Sequence, residues 1–209
     1  RLVGMITIDD IIDVIDEEAE EDLMGLAGVG EANVRSSLWD TLQGRSSWLL
    51  INLFTAIIAS AVLGLFDATI EQLVALAILM PIVASMGGNA GTQTVTVAVR
   101  AIALRQLDRD AAMAFVRREL LVAALNGVVF AMLSATMAFL WFNDADIAAV
   151  MAVAMFANMM VAGLSGTLVP LGLVRLGVDP AVASSVFITT ITDVVGFFVF
   201  LGLAALYLT

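Results

Sequence analysis

The chain has 209 residues, 61% of them hydrophobic, and a net charge of −11. It contains no cysteine and no histidine, which excludes disulfides, thiolate or imidazole metal centres, and catalysis by either side chain. Any metal must be met by oxygen ligands, which suits hard cations such as Mg²⁺ or Ca²⁺.

Charge is scarce and unevenly placed. Only 14% of residues are charged, against roughly 25% in a soluble domain. Residues 1–40 carry eleven of the twenty acids and two arginines, and the remainder is close to neutral. That pattern predicts an acidic soluble segment joined to an integral membrane domain.

"RLVGMITI", residues 1–8, alternates in the manner of a short strand. The chain opens on Arg1 with no signal peptide in view, so it reads as a fragment. "DDIIDVIDEEAEEDL" follows, with Ile11, Ile12, Ile15 and Leu23 at roughly helical spacing among carboxylates. It reads either as a solvated amphipathic helix or as a cation-sensing surface, in which Asp13, Asp16, Glu17 and Glu20 would be regulatory. Carboxylates this dense repel one another unless cations sit nearby.

Five apolar stretches come next, at about 46–66, 71–104, 111–142, 147–174 and 180–208. Each can cross a hydrocarbon core of ~30 Å, which needs about 20 residues. Asp179 followed by Pro180 predicts the start of the fifth: a capping carboxylate, then proline at the first helical position. There are no lysines, and the arginines fall before span one, between or beside spans two and three, or between spans four and five. Those loops are expected to face the cytoplasm, which leaves the N-terminal segment inside and the C-terminus outside a cell inner (plasma) membrane. Trp48, Trp141 and Tyr207 fall near span ends, where interfacial anchors belong.

Asp193 lies 13 residues past Pro180, about 20 Å into its helix and near the membrane midplane. A carboxylate there marks an ion path, a proton relay or a hydrogen-bonded acid. No arginine lies at matching depth. Thr189 and Thr190 precede Asp193 by four and three residues, Ser185 lies two turns before it, and Gly196 follows at i+3. Together they favour a pore wall with a cation ligand.

Span two contains "SMGGNAGTQTVTVAVR", residues 85–100. Pro81 is expected to kink it, and Gly87, Gly88 and Gly91 to loosen its backbone. Irregular backbone at membrane depth survives only in protein or beside a watery cavity, where carbonyls could face an ion. Asn89, Thr92, Gln93 and Thr96 add neutral oxygens at about one-turn steps. Gly87 and Gly91 also have the spacing of a close helix contact. Asn52, Asn126 and Asn158 read mainly as interhelical hydrogen-bond partners. "GLSGTLVP", residues 163–170, faintly echoes the run in span two. P-loop, triad and dinucleotide motifs are absent, which argues against an enzyme, and no nucleic-acid partner is expected.

On those residues the chain resembles the membrane domain of the MgtE family of magnesium channels and transporters. "PIVASMGGNAGTQT" looks like that family's second-span signature, and "DPAVASSVFITTITDVVGFFVFLGLA" like its fifth span. "RLVGMITIDDIIDVIDEEAEEDL" resembles the end of a CBS domain running into the family's connecting, or plug, helix. The resemblance implies an all-α integral membrane protein, with five transmembrane helices preceded by an acidic cytoplasmic helix. It implies a division into residues 1–12 (the end of a CBS-like domain), 13–44 (connecting helix) and 45–209 (pore domain). It also implies a homodimer with a Mg²⁺ pore on its two-fold axis, lined by spans two and five. Two copies of Asp193 would face one hydrated ion, with Gly88, Asn89, Thr92, Thr96, Ser185 and Thr189 nearby. Family members often carry Asn where this chain has Thr92. The rival expectations are a proton-coupled secondary transporter and a non-conducting cation sensor.

Overall fold

Lipid offers backbone N–H and C=O groups no partner but each other, so a chain this apolar must be helical through the bilayer. A computed structural model describes residues 4, 6–27, 37–107 and 109–208, with the side chains of residues 16, 18–23, 26–27, 109–110 and 182–184 outside that description. Every regular element among them is a helix: α1 (Ile8–Ala27), α2 (Leu38–Gly64), α3 (Asp67–Gln72), α4 (Val74–Ala103), α5 (Arg109–Phe142), α6 (Ala145–Arg175) and α7 (Pro180–Tyr207). Five of them, α2 and α4 to α7, are long and apolar enough to cross a membrane, in agreement with the five expected spans.

Capping chemistry sets the boundaries. Asp179 accepts from the Ala181 N–H at 2.8 Å, with Pro180 opening α7 as expected. Asp144 accepts from Asp146 and Ile147 at the start of α6. Ser37 and Asp40 bond reciprocally, so α2 begins eight residues earlier than the hydropathy suggested. The short α3 was not expected. Leu73, at φ −130° and ψ 82°, ends it and lets α4 start afresh at Val74.

The predicted strand is absent from the described residues of 1–8. Ile8 is already helical. Thr7 donates from its backbone N–H and its hydroxyl to the Asp10 carboxylate at 2.7 and 2.6 Å, and its hydroxyl oxygen accepts from the Asp10 N–H. This cap outweighs a few residues of alternation. The hydroxyl's hydrogen bond, reinforced by the backbone one, holds the Asp10 carboxyl below the ordinary aspartate range.

The packing centres on α6, which contacts α4, α5 and α7. Half of its most apolar window is buried, against 6% for α2. Leu76, Leu79 and Val83 of α4, Met151, Met155 and Met159 of α6, and Phe200 and Leu201 of α7 form the core. α2 leans on α7, pinned where Phe66 meets Phe198 edge to face at 5.8 Å. α1 also abuts α7, and among its described residues Met24 and Gly25 are shielded.

Candidate functional site: a polar ridge on α4 and α7

α4 is helical without interruption from Val74 to Ala103, through Pro81 and all three glycines. The expectation of irregular backbone carbonyls facing an ion is therefore corrected. The polar groups of the segment are its side chains, sorted by the helical period onto different faces.

Ser85, Asn89, Thr92 and Thr96 recur at i, i+4, i+7 and i+11, which places them in one stripe. All four are exposed, and Gly88 lies half-buried beside them. Thr92 donates to the Gly88 carbonyl at 2.9 Å and Thr96 to the Thr92 carbonyl at 2.8 Å. Asn89 donates to the Ser85 hydroxyl at 3.4 Å. On α7, Thr189 donates to the Ser185 and Val186 carbonyls, and Thr190 to Val186. A hydroxyl whose proton is committed to its own helix keeps its lone pairs for something else. These threonines are therefore acceptors, suited to a cation or to the waters around one.

Asp193 completes the ridge. It is the fourteenth of the 28 residues of α7, half-buried, and has no hydrogen bond or ion pair among the described residues. Ser185, Thr189 and Asp193 follow at four-residue steps, all partly exposed. The two helices meet here, since a Cβ built on Gly88 would stand 3.8 Å from Thr189 Cγ2, an ordinary contact. No group of three or more metal-ligating acids occurs among the described residues. The ridge of one chain thus offers a single carboxylate amid neutral oxygens.

The other expected site residues lie elsewhere. Gly196 faces α6, where its added Cβ would stand 2.8 Å from the Asn158 amide nitrogen. Gln93 turns away from Thr92 and lines a separate cleft of about 280 Å³ with Arg118, Glu119 and Asn126. Gly87 and Gly91 are buried against α6 and α7. Asp13 and Glu17 are exposed on α1, whereas the Asp16 and Glu20 side chains lie outside the description.

Of the three asparagines, Asn158 alone makes an interhelical bond among the described residues, from Nδ2 to the Val83 carbonyl at 2.8 Å. Asn52 and Asn126 are exposed, with no side-chain hydrogen bond among the described residues. The run at 163–170 is packing. Gly163 meets Ala123 of α5, Gly166 meets Thr94 of α4, and Ser165 and Thr167 bond back into α6.

A five-span helical bundle with an unpaired mid-helix carboxylate on a ridge of hydroxyls is a multi-pass membrane protein with the make-up of a transporter. The family model for MgtE, described as a divalent cation transporter, matches residues 80–203, so both the ridge of α4 and Asp193 fall inside it. A magnesium transporter MgtE from Bacillus subtilis (strain 168) is 33% identical over 208 residues, covering 99% of this chain and 46% of its own length. Another, from Thermus thermophilus, is 35% identical over 215 residues, covering 100% of this chain and 47% of its own length. The chain belongs to the MgtE family, a family of transporters and not of enzymes. It spans about half the length of the curated relatives it matches.

Proposed function

We propose that two copies of this chain pair across the α4–α7 ridge and pass Mg²⁺ between them, with one Asp193 from each side facing the ion. The observation that carries this reading is the exposed ridge itself. In a chain so apolar, a carboxylate and a row of hydroxyls at mid-helix do not face lipid. A second copy related by a two-fold axis would cover the ridge and double its one carboxylate. Mg²⁺ gives up its waters reluctantly, so hydroxyl acceptors and small residues match a hydrated ion better than a close cage of carboxylates would. The relatives that match over nearly all of this chain are named magnesium transporters.

Arginine placement supports an orientation with α1 in the cytoplasm and the end of α7 outside. In that arrangement the acidic run of α1 is the connecting helix. It abuts α7, the helix that carries Asp193, and its carboxylates, Asp13, Asp16, Glu17 and Glu20 among them, sense cytoplasmic Mg²⁺. Residues 1–12 would end a CBS-like domain, and 45–209 would form the pore domain.

Mg²⁺ uptake into liposomes tests the reading. Asp193→Ala should abolish uptake, and Asp193→Asn, which keeps the size and loses the charge, should weaken it severely. An imposed pH gradient should leave the wild-type rate unchanged. Normal uptake by Asp193→Ala would overturn the site, and a rate that follows the pH gradient would favour a proton-coupled carrier.

A further inference from the structure

The buried hydroxyls of Thr192, Thr167, Ser165 and Ser134 all close on carbonyls of their own helices. Asn158 does not. Only 1% of its surface is exposed, and it lies midway along α6. Its Nδ2 crosses to α4 and donates to the Val83 carbonyl at 2.8 Å. That bond fixes the amide's orientation, because only the NH₂ end can meet a carbonyl oxygen. Oδ1 is then buried with no partner among the described residues.

The same amide is wedged between glycines of two other helices. A Cβ on Gly87 of α4 would collide with it and would stand 3.0 Å from Oδ1. A Cβ on Gly196 of α7 would stand 2.8 Å from Nδ2 and 3.2 Å from Oδ1. Gly87 adjoins Gly88, and Gly196 lies three residues past Asp193. The amide therefore holds α4 one residue from the centre of the ridge and abuts α7 one turn from the carboxylate. Stability alone does not call for an asparagine here. A hydrocarbon side chain would strand no polar oxygen, and the Val83 carbonyl it leaves keeps its place in the α4 hydrogen-bond ladder, so the change avoids the penalty of an unpaired group.

We infer that Asn158 is a positioning residue for the cation path: the amide joining Val83, Gly87 and Gly196 sets the rotation and approach of α4 and α7, and so the spacing between the Gly88–Asn89–Thr92 ridge and Asp193. This rests on the function proposed above. Asn158 does not touch the ion. It acts through the two helices that do, and the missing side chains at Gly87 and Gly196 are what let both close on it.

The test uses the whole protein in liposomes, with Mg²⁺ uptake followed against Mg²⁺ concentration and Asp193→Ala run alongside. Asn158→Leu keeps the branching of the side chain, adds some volume and removes the amide's hydrogen-bonding groups. It should still assemble, yet shift the half-saturating Mg²⁺ concentration by about fivefold or more, the scale of a typical coupling between sites. A second arm covers the case in which leucine does not fit. Gly196→Ala alone should depress uptake, and adding Asn158→Ala should restore it in part by removing the amide that the new methyl strikes. A well-assembled Asn158→Leu with wild-type half-saturation, or a double variant worse than Gly196→Ala, overturns the inference while Asp193→Ala remains inactive. Should Asp193→Ala take up Mg²⁺ normally, the cation path itself fails and the inference falls with it.

Discussion

Gly87 and Gly88 are neighbours on one helix, yet they face different worlds. A side chain at Gly87 strikes the Asn158 amide, and one at Gly91 strikes Ile188. A side chain at Gly88 meets only Thr189 Cγ2, at 3.8 Å. The first face of α4 is a protein core that needs absent side chains so that helices can close. The second is an open surface whose small residue leaves room beside a row of hydroxyls. Glycine in a membrane helix thus has two separable uses, and what stands opposite decides which applies.

The strongest way to break this comparison is to fill the inner face. Gly91→Val should prevent correct assembly, because its Cβ collides with the branched Ile188 side chain on α7. Overpacking of this kind costs about 1–3 kcal/mol or more. Detergent-solubilised protein should aggregate or melt at lower temperature, with no uptake. Gly88→Val should instead assemble with normal yield and melting temperature, and lose Mg²⁺ uptake by about tenfold or more, equivalent to at least ~1.4 kcal/mol of barrier. Equal melting losses in the two variants would erase the distinction between the faces.

Thr92→Val sharpens the outer face with a smaller effect. It removes one acceptor without changing shape, and a few-fold loss of uptake should follow with no change in melting. On α1, neutralising Asp13, Asp16, Glu17 and Glu20 together should, if that helix faces the cytoplasm as proposed, shift the inhibition of uptake by internal Mg²⁺ toward higher concentration, leaving the maximum rate intact. An unchanged inhibition curve would make the run a solvated linker. The smallest effect concerns Asp10. The Thr7 hydrogen bonds lower its folded pKa, so the stabilisation they give α1 is full above the unfolded value and is lost as pH falls through the lowered folded value. Thr7→Ala should therefore lower α1 helicity slightly at neutral pH and flatten its fall with acid, matching the wild type at low pH where Asp10 is protonated in both, as circular dichroism across pH would read.

Much of this was legible in the sequence. The five spans follow from hydropathy and length, the start of α7 from Asp179 and Pro180, and the mid-helix position of Asp193 from its distance past Pro180. Other features depend on partners distant in the chain. Val83 and Asn158 are 75 residues apart, and no local pattern announces that an asparagine in α6 will lodge between glycines of α4 and α7. The same reason explains the glycine run. Gly, Asn and Thr together suggest a loosened backbone, yet the helix persists because backbone groups in lipid must pair within the segment, and Gly87 and Gly91 are held by close packing. Spacing of about one turn places Gln93 and Gly196 with the ridge, but that spacing is too coarse: the structure turns Gln93 toward a cleft and Gly196 toward α6.

The central claim is that the α4–α7 ridge faces its own copy across a two-fold axis with a cation between. A high-resolution density map of the assembled protein in Mg²⁺ addresses it most directly. The account predicts two chains related by that axis, with Thr92 and Thr189 lining it and metal density between the two Asp193 carboxylates, separated from them by water. A map in which Asp193 and Thr92 point into lipid, or meet a dry interface with no density between them, would contradict it.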